Sequence, residues 1–317
     1  MQLQKSPEKV AVMGAGAVGC FFGGMLARAG HEVTLIGRAA HVEAINRDGL
    51  LIEAVKFREH VRAKASTEAA AVRGASLILF CVKSTDTEEA ARQIASHIGP
   101  DSVILNLQNG VDNAERIQKY IPNLVIPAVV YVATAMPRAG CVKHYGRGEL
   151  VIGQMHPQTA PRAVASEALQ NIVSLFAGAG VPVAISANVA VELWAKLVVN
   201  CAYNALSALG QAPYGKLIVS DGIKAVMRDV VVEVLAVAKA SQVRMPADLL
   251  ASVYKIADAM PEQMSSTAQD VARGKPSEID HLNGFVVRRG QALGIATPVN
   301  QTLHAVVKLI EAKQARA

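Results

Sequence analysis

Short, almost uninterrupted apolar runs alternate with helical stretches along the first half of the chain. The runs have the length and the β-branched content of strands, and they are KVAVMGAG, HEVTLIGR, ASLILFCVK, DSVILNLQNG and NLVIPAVVYVA. This alternation predicts a mostly parallel sheet with helices on both faces. The run from Leu77 to Val82 is apolar throughout, which is typical of a strand at the buried centre of such a sheet.

The strand pattern fades after about Ala187, and helical periodicity replaces it. We expect Asp221 to cap a helix that runs towards Ser241, and PVNQTLHAVVKLIEAKQ to form another that begins at its proline. Before this change, GELVIGQ predicts one more strand and residues 165–179 predict a helix. The predicted fold class is therefore α/β, with a doubly wound parallel sheet over residues 1–186 and an all-helical domain over residues 187–317.

A glycine-rich loop, GAGAVG, follows the first predicted strand and leads into an apolar helix. Its residues are Gly14, Ala15, Gly16, Ala17, Val18 and Gly19. The first glycine permits a tight turn, the second lets a pyrophosphate approach the backbone, and the third lets the helix pack closely on the sheet. This strand-loop-helix context predicts a Rossmann-type dinucleotide site, and the alternative is a glycine-rich packing turn without a ligand.

The residue after the second predicted strand discriminates between nicotinamide cofactors. NAD sites usually carry Asp or Glu there for the ribose hydroxyls, whereas this chain has Arg38, and Glu32 stands at the opposite end of the strand. An arginine suits a 2′-phosphate, so we expect NADP(H); a solvated surface arginine is the alternative. Lys83 in CVKS and Asn109 in NLQNG follow two further strands, where they could contact the cofactor or serve as surface and turn residues.

Three polar residues interrupt the otherwise apolar helical segment ELWAKLVVNCAYNAL. Lys196, Asn200 and Asn204 are four residues apart, and each step of four turns only about 40° around a helix, so they share one stripe. A buried ammonium is costly unless it finds a partner, and asparagine is disfavoured inside helices. The stripe favours a substrate-binding face over three separately satisfied core residues.

Polar residues cluster again in QMSSTAQD and GKPSEIDHLNG. The candidates are Ser265, Ser266, Asp270, Glu278, Asp280 and Asn283. A carboxylate near Lys196 would keep the lysine charged, and a serine could bind a substrate carboxylate or hydroxyl. The sequence leaves the choice open, because SST could simply cap a helix and Asp280 could be an ordinary surface acid.

Composition narrows the range of partners. The formal charge of +6 is spread along the chain without a long basic tract, which favours small anions over nucleic acid. Four cysteines far apart, without CxxC, indicate neither a disulfide framework nor a zinc site and suit a reducing cytoplasm. The uncharged stretch from Val10 to Ala27 contains five glycines, so we interpret it as the start of a βαβ unit and not as a membrane segment.

The combination of these segments resembles the ketopantoate reductase (2-dehydropantoate 2-reductase) family. GAGAVG, QNGV, ELWAKLVVNCAYNAL and SSTAQDVARGKPSEIDHLNGFVVRRGQALGIATPVN occur in the family's order along nearly the whole chain. The most specific parts are the W-x-K-x3-N-x3-N helix and the E-I-D-x2-N-G segment.

The resemblance implies NADPH-dependent reduction of 2-dehydropantoate to (R)-pantoate, a step towards pantothenate and coenzyme A. It implies that Lys196 polarises the ketone and donates the proton, and that Glu278 is the acid near the lysine and the cofactor. The residues matching the family's substrate-binding positions are Asn200, Asn204 and Ser266. Those matching its cofactor-binding positions are Gly14 to Gly19, Arg38, Lys83, Asn109 and Glu278.

The chain also departs from the family pattern. Tyr214 stands where some members have asparagine, and Thr267 changes the common SSM to SST. Two alternatives therefore stay open: an NADP-dependent reductase or dehydrogenase of another 2-keto or 3-hydroxy acid, and a non-catalytic NADP-binding sensor. The second asparagine disfavours the first, and Lys196 together with Glu278 disfavours the second. A homodimer through the helical half is compatible with the sequence.

Overall fold

A computed structural model of the chain describes residues 7–155 and 162–314. The chain divides into two compact units, Met1–Val189 and Ala190–Ala317. The first contains the sheet, and the second is built from helices. The predicted fold class, an α/β domain of the Rossmann type followed by a helical one, is confirmed.

The sheet of the first unit is mixed, with a parallel half and a second half that contains two antiparallel hairpins. Its strands in the described residues are β1 Lys9–Met13, β2 Glu32–Ile36, β3 Leu50–Glu53, β4 Arg58–Val61, β5 Lys64–Ser66, β6 Leu77–Phe80, β7 Val103–Asn106, β8 Val125–Arg138, β9 Cys141–Ile152 and β10 Val183–Ile185. They lie in the order β4-β3-β9-β8-β7-β6-β1-β2-β5, and β10 pairs with β9. From β8 through β7, β6, β1 and β2 to β5, all neighbours are parallel.

Helices cover both faces of this sheet. They are α1 Ala17–Arg28, α2 Ala39–Asp48, α3 Thr87–Ala95, α4 Asn113–Gln118 and α5 Arg162–Gly178. Successive residues of β6 enter opposite cores, since Leu77 and Leu79 belong to one apolar cluster and Ile78 and Phe80 to the other. This double burial explains why the strand is apolar at every position.

The sequence did not predict every strand. β3, β4 and β5 are three or four residues long and include several polar positions, so they lack a readable period. GELVIGQ contains only the end of β9, whose earlier part, CVKHYGR, is partly exposed and is held by pairing with β8. Pairing with neighbouring strands, and not local sequence propensity, determines that these segments become strands.

The second unit consists of helices within the described residues. They are α6 Val189–Gly210, α7 Tyr214–Leu217, α8 Asp221–Ala240, α9 Leu249–Ala259, α10 Ser266–Ala272, α11 Asn283–Leu293 and α12 Pro298–Gln314. The predicted cap of α8 was wrong by one residue, because Ser220 precedes the helix and its hydroxyl accepts the N–H of Ile223. The proline start of α12 is as the sequence predicted.

A buried carboxylate fixes the start of α12. Glu233 on α8 accepts hydrogen bonds from the backbone N–H groups of Val299 and Asn300, at 2.8 and 2.9 Å. These are donors that a helix cannot satisfy within its own first turn, and a negative charge there is favourable. Glu233 therefore ties α12 to α8.

Candidate functional site

The glycine loop joins β1 to α1 in a geometry that requires glycine at its first position. Gly14 has φ +112°, and a Cβ built there would lie 2.6 Å from the Cys81 carbonyl carbon and the Val82 nitrogen. The N–H groups of Gly14 and Ala15 both donate to the carbonyl of Ile36 on β2. The turn therefore contacts the backbone of β2 on one side of β1 and the backbone of Cys81 and Val82 on the other.

The other two glycines of the loop have different surroundings. A Cβ at Gly19 would lie 2.2 Å from the Gly14 carbonyl oxygen, so this residue allows α1 to pack against the loop. Gly16 immediately precedes α1, is exposed, and has no atom within 4 Å of the corresponding Cβ position. The first N–H groups of α1, from Ala17 and Val18 onward, have no partner within the helix. This open, positively polarised helix end fits a diphosphate.

Arg38 lies at the same edge of the sheet. It follows β2, directly precedes α2, and is exposed. Glu32 stands at the other end of β2, as the sequence indicated. Among the described residues Arg38 has no carboxylate within ion-pair distance, so its guanidinium is available for an anionic ligand.

Lys83 and Asn109 follow the neighbouring strands β6 and β7, and the structure joins their two loops. The Ser84 hydroxyl donates to the Asn109 carbonyl at 2.9 Å, and the Asn113 amide donates to the same carbonyl at 2.6 Å and to Ser84 Oγ at 3.1 Å. The Ser84 and Asn113 side chains are fully or almost fully buried. Because of this bracing, Lys83 and Asn109 lie at one carboxyl edge.

An arginine beneath these loops completes a polar network that the sequence did not predict. Arg116 on α4 donates to the Ser84 carbonyl and to Asn113 Oδ1, both at 2.8 Å, and binds the Glu88 carboxylate with two nitrogens at 2.7 and 2.5 Å. The guanidinium thereby satisfies groups from three segments. The only signal in the sequence is the cluster of polar residues in VDNAERIQ, which equally fits a surface helix.

We expect Arg116→Ala to lower the free energy of unfolding by about 2 kcal/mol, because it removes the two-nitrogen ion pair with the partly buried Glu88 carboxylate and the hydrogen bonds to two buried acceptors. Arg92→Ala is the matched control, since its ion pair with Glu89 is exposed and should contribute less than about 1 kcal/mol. Urea denaturation of both variants measures the difference. Equal losses would mean that the network does not stabilise the loops.

The polar stripe on α6 forms as predicted by the spacing. Lys196 and Asn200 are half-buried, and Asn204 is 2 % exposed. The three polar groups lie on one stripe of an otherwise apolar helix, which fits a polar ligand.

The segment before α10 is fastened to the end of this stripe. Ser265 Oγ donates to the Asn204 carbonyl at 3.2 Å and accepts the Ala268 N–H at 3.0 Å, so Ser265 caps α10. Ser266 is the first residue of the helix and is exposed. Thr267 is buried, and its hydroxyl has no hydrogen-bond partner within the described residues.

The structure separates the acids and amides that the sequence could not rank. Asp280 is held by His304 at 2.6 Å and Lys308 at 2.8 Å. Burial alone would raise the pKa of Asp280, but the hydrogen bonds from these two groups outweigh it and lower the pKa. Asp280 is therefore part of an ion-pair network with α12, which disfavours the alternative of an isolated surface acid.

Asn283 and Glu278 have different positions. Asn283 is buried and donates to the Cys201 carbonyl and to Asn300 Oδ1, which makes it a packing contact between helices. Glu278 is half-buried and directly precedes the short 3-10 turn Ile279–His281. Its assignment as the acid beside the lysine and the cofactor stays a prediction.

Tyr214, one of the departures from the family pattern, is an aromatic core residue. Its ring centroid lies 4.3 Å from that of Tyr203 on α6, and the Tyr203 hydroxyl donates to the Val253 carbonyl. Burial raises the pKa of Tyr203 to about 12 and also raises the pKa of Tyr214. Both phenols therefore stay neutral at physiological pH.

Other reactive or binding chemistries find little support. Burial raises the pKa of Cys20, at the start of α1, to about 12, so this thiol is not activated by the helix end. Over residues 7–155 and 162–314 there is no group of three or more His, Cys, Asp or Glu side chains arranged to hold a metal ion. None of the helices described is long and apolar enough to cross a bilayer.

Comparison with known proteins decides the family. The profile described as Ketopantoate reductase PanE/ApbA matches residues 10–157, and the one described as its C terminal matches residues 188–311. The chain belongs to the ketopantoate reductase family. The predicted resemblance is thereby confirmed.

Individual relatives agree with this assignment. The 2-dehydropantoate 2-reductase of Pyrococcus horikoshii is 31% identical over 96% of this chain and 97% of its own. The crystal structure of a PanE/ApbA family ketopantoate reductase from Ralstonia eutropha JMP134 is 54% identical with a TM-score of 0.90, covering 97% of this chain and 99% of that one. A D-mandelate dehydrogenase solved with NADH and anilino(oxo)acetate shares the fold, with 24% identity, a TM-score of 0.89 and the same coverage.

Membership in this family makes the chain an oxidoreductase with a nicotinamide cofactor, as the sequence predicted. The glycine loop of the first unit supplies the matching nucleotide-binding geometry. The roles of the individual site residues stay predictions.

Proposed function

We propose that this protein reduces 2-dehydropantoate to (R)-pantoate with NADPH, a step towards pantothenate and coenzyme A. The observation that carries the proposal is the stripe of Lys196, Asn200 and Asn204 on the apolar helix α6. The stripe places an amide that is 2 % exposed and a lysine on one face of this helix, and 2-dehydropantoate offers a carboxylate, a ketone and a hydroxyl to such polar groups. The names of the full-length relatives support the same substrate.

The proposed preference for NADPH rests on residues at the carboxyl edge of the sheet in the first unit. Gly14 to Gly19 would bind the diphosphate at the start of α1, and the exposed Arg38 would bind the 2′-phosphate as a bidentate partner. Lys83 and Asn109, braced by the network beneath them, would contact the nicotinamide half. The residues present fit such a cofactor, because Gly16 leaves open space where a diphosphate must approach.

The chemical step needs a hydride and a proton. NADPH, when bound, supplies the hydride that adds to the ketone carbon. We assign the proton to the Lys196 ammonium, which polarises the ketone oxygen and stabilises the negative charge that develops there. Glu278 would keep the lysine charged and orient it. Asn200, Asn204 and Ser266 would hold the substrate's carboxylate and hydroxyl, which fixes the carbonyl for attack.

Arg38→Ala should weaken NADPH binding by about tenfold or more, while NADH affinity changes little, because only NADPH carries the phosphate that the guanidinium would bind. Fluorescence titration with both cofactors measures this. Arg47→Ala serves as control, since Arg47 is an exposed arginine of α2 already paired with Asp48. Equal losses for NADPH and NADH would show that Arg38 does not recognise the phosphate.

A different keto acid is the second candidate substrate. Tyr214 fills its position with an aromatic ring packed on Tyr203, and Thr267 brings a buried hydroxyl to the start of α10. Hydrogen bonds link the segments of both residues to the Asn204 end of the α6 stripe. The Tyr214 N–H donates to the Gln263 carbonyl, and the Ser265 hydroxyl donates to the Asn204 carbonyl. These residues could favour a substrate with a different side chain while leaving the reaction type unchanged.

The deciding experiment follows NADPH oxidation at its near-ultraviolet absorbance with 2-dehydropantoate and a panel of other 2-keto acids. We expect the highest kcat/KM with 2-dehydropantoate. A higher value with another acid would keep the chemistry and change the substrate. NADPH binding without turnover across the panel would favour the non-catalytic sensor.

The expected setting of this activity is the cytoplasm. All four cysteines are unpaired thiols, and three of them are fully buried, which suits a reducing compartment. The partner we propose is a small-molecule keto acid. A homodimer remains a prediction, which size-exclusion chromatography with light scattering would test.

A further inference from the structure

A basic pocket opens at the amino edge of the sheet, at the opposite end of the strands from the glycine loop. It has a volume of about 440 Å³ and is formed where β1, β2 and β5 begin. This volume lies in the range of small-molecule sites. Dinucleotides bind at the carboxyl edge of such sheets, and five-residue strands put the two edges about 15 Å apart. The pocket is therefore separate from the proposed cofactor site.

The connection from β5 to β6 explains why the pocket exists. It contains a single 3-10 turn, Ala69–Val72, where a full helix would cover more of the sheet. Small side chains line the floor of the pocket, with Ala11 on β1 and Ala71 and Ala75 in the crossover, beside Thr34 on β2. Because these side chains are small and the crossover is short, they leave a cavity open to solvent at this edge of the sheet.

The rim carries an excess of positive charge. Its cations are Lys9, Arg62, Lys64 and Arg73, and the one carboxylate lining the pocket is Glu32. All four cations are exposed, and none forms an ion pair with a residue that the structure describes.

Several arginines elsewhere in this unit have carboxylate partners. Arg28, Arg47 and Arg58 each contact a carboxylate, at 2.8, 2.7 and 3.1 Å. A cleft lined by one sign of charge concentrates counter-ions, and guanidinium groups match phosphate oxygens in a bidentate manner. The cluster, in which Arg73 also contacts His97 Nδ1 at 3.1 Å, thus has the chemistry of a phosphate site.

Two neutral donors lie within the same pocket. Thr34 is half-buried, and its hydroxyl has no hydrogen-bond partner among residues 7–155 and 162–314. His31 Nδ1 accepts the Glu8 N–H at 3.2 Å, so the neutral ring carries its proton on Nε2. Phosphate oxygens accept from such donors as well as from cations.

We propose that this pocket, bounded by Lys9, Arg62, Lys64 and Arg73, binds a small molecule carrying two or more phosphate groups. A single phosphate could contact only part of the rim, whereas linked phosphates can reach cations on β1, β5 and the crossover together. The proposal does not depend on the reaction proposed above.

The test is isothermal titration of the full chain with inorganic tripolyphosphate. We expect one site, and we expect Arg62→Gln/Lys64→Gln to weaken binding about five- to thirtyfold, from the loss of two exposed charge contacts. Lys56→Gln/Lys119→Gln removes the same charge from exposed lysines outside the pocket and should change the dissociation constant less than about twofold. Hydrogen exchange should show protection of residues 31–34 and 62–64.

Three results would overturn the proposal. Absence of binding by the unmodified chain would remove the site. An equal loss in the two double variants would reduce the effect to net charge. A loss produced by Arg38→Gln but not by Arg62→Gln/Lys64→Gln would place the anion at the glycine-loop edge.

Discussion

Lys196→Ala should lower the turnover number for keto-acid reduction by about 10²–10⁴-fold and leave NADPH affinity nearly unchanged. The lysine charge would stabilise the oxygen mainly while negative charge develops on it, so its loss affects the transition state more than the bound substrate. Single-turnover oxidation of NADPH and fluorescence titration separate the two quantities.

A second lysine provides the control for this experiment. Lys239 is an exposed residue in the last turn of α8, and Lys239→Ala should keep the full rate. Circular dichroism and thermal denaturation establish that both variants are folded. A Lys196→Ala enzyme with near-normal turnover would refute the assignment of this residue as proton donor.

Gly14→Ala should lower the free energy of unfolding by about 3 kcal/mol or more. The methyl group would enter a positive-φ backbone and lie 2.6 Å from backbone atoms of Cys81 and Val82, which no side-chain rotation can relieve. Urea denaturation measures the change.

Two other glycines separate the steric cause from the conformational one. Gly30 has φ +93° but open space around it, so Gly30→Ala should cost only about 1 kcal/mol, from the backbone conformation. Gly16→Ala should change stability by no more than about 1 kcal/mol yet weaken NADPH, because its methyl group would occupy the approach of the diphosphate. Similar losses of stability in all three variants would contradict the steric explanation for Gly14.

The elements that the sequence predicted well are those whose pattern repeats. β6 is apolar at every position because both its faces are buried, and α12 begins at a proline. β4 and β5 were not predicted, because strands of three or four residues are too short to show an apolar period. Their conformation depends on pairing with neighbouring strands. The length of the β8–β9 hairpin was underestimated because the parts of both strands nearest their turn are partly exposed and lack a clear apolar pattern.

The residues of the candidate site also divide into those that the sequence predicted and those that it did not. Glycines and the α6 stripe could be found because spacing along one element fixes geometry. Arg116, Ser84 and Asn113 could not, because their importance arises from contacts among three separate segments. The role of Asp280 could not be chosen from the sequence, because its partners, His304 and Lys308, lie one helix further along the chain.

The two ends of the sheet path bear on how this protein behaves at high concentration. The path ends in β4, which carries Arg58, Glu59 and His60, and in β5, which is three residues long and begins with Lys64. Short, charged edge strands oppose pairing with the backbone of another molecule. Growth of the sheet from one molecule into the next at these ends is therefore disfavoured, which protects a strand-rich unit against aggregation.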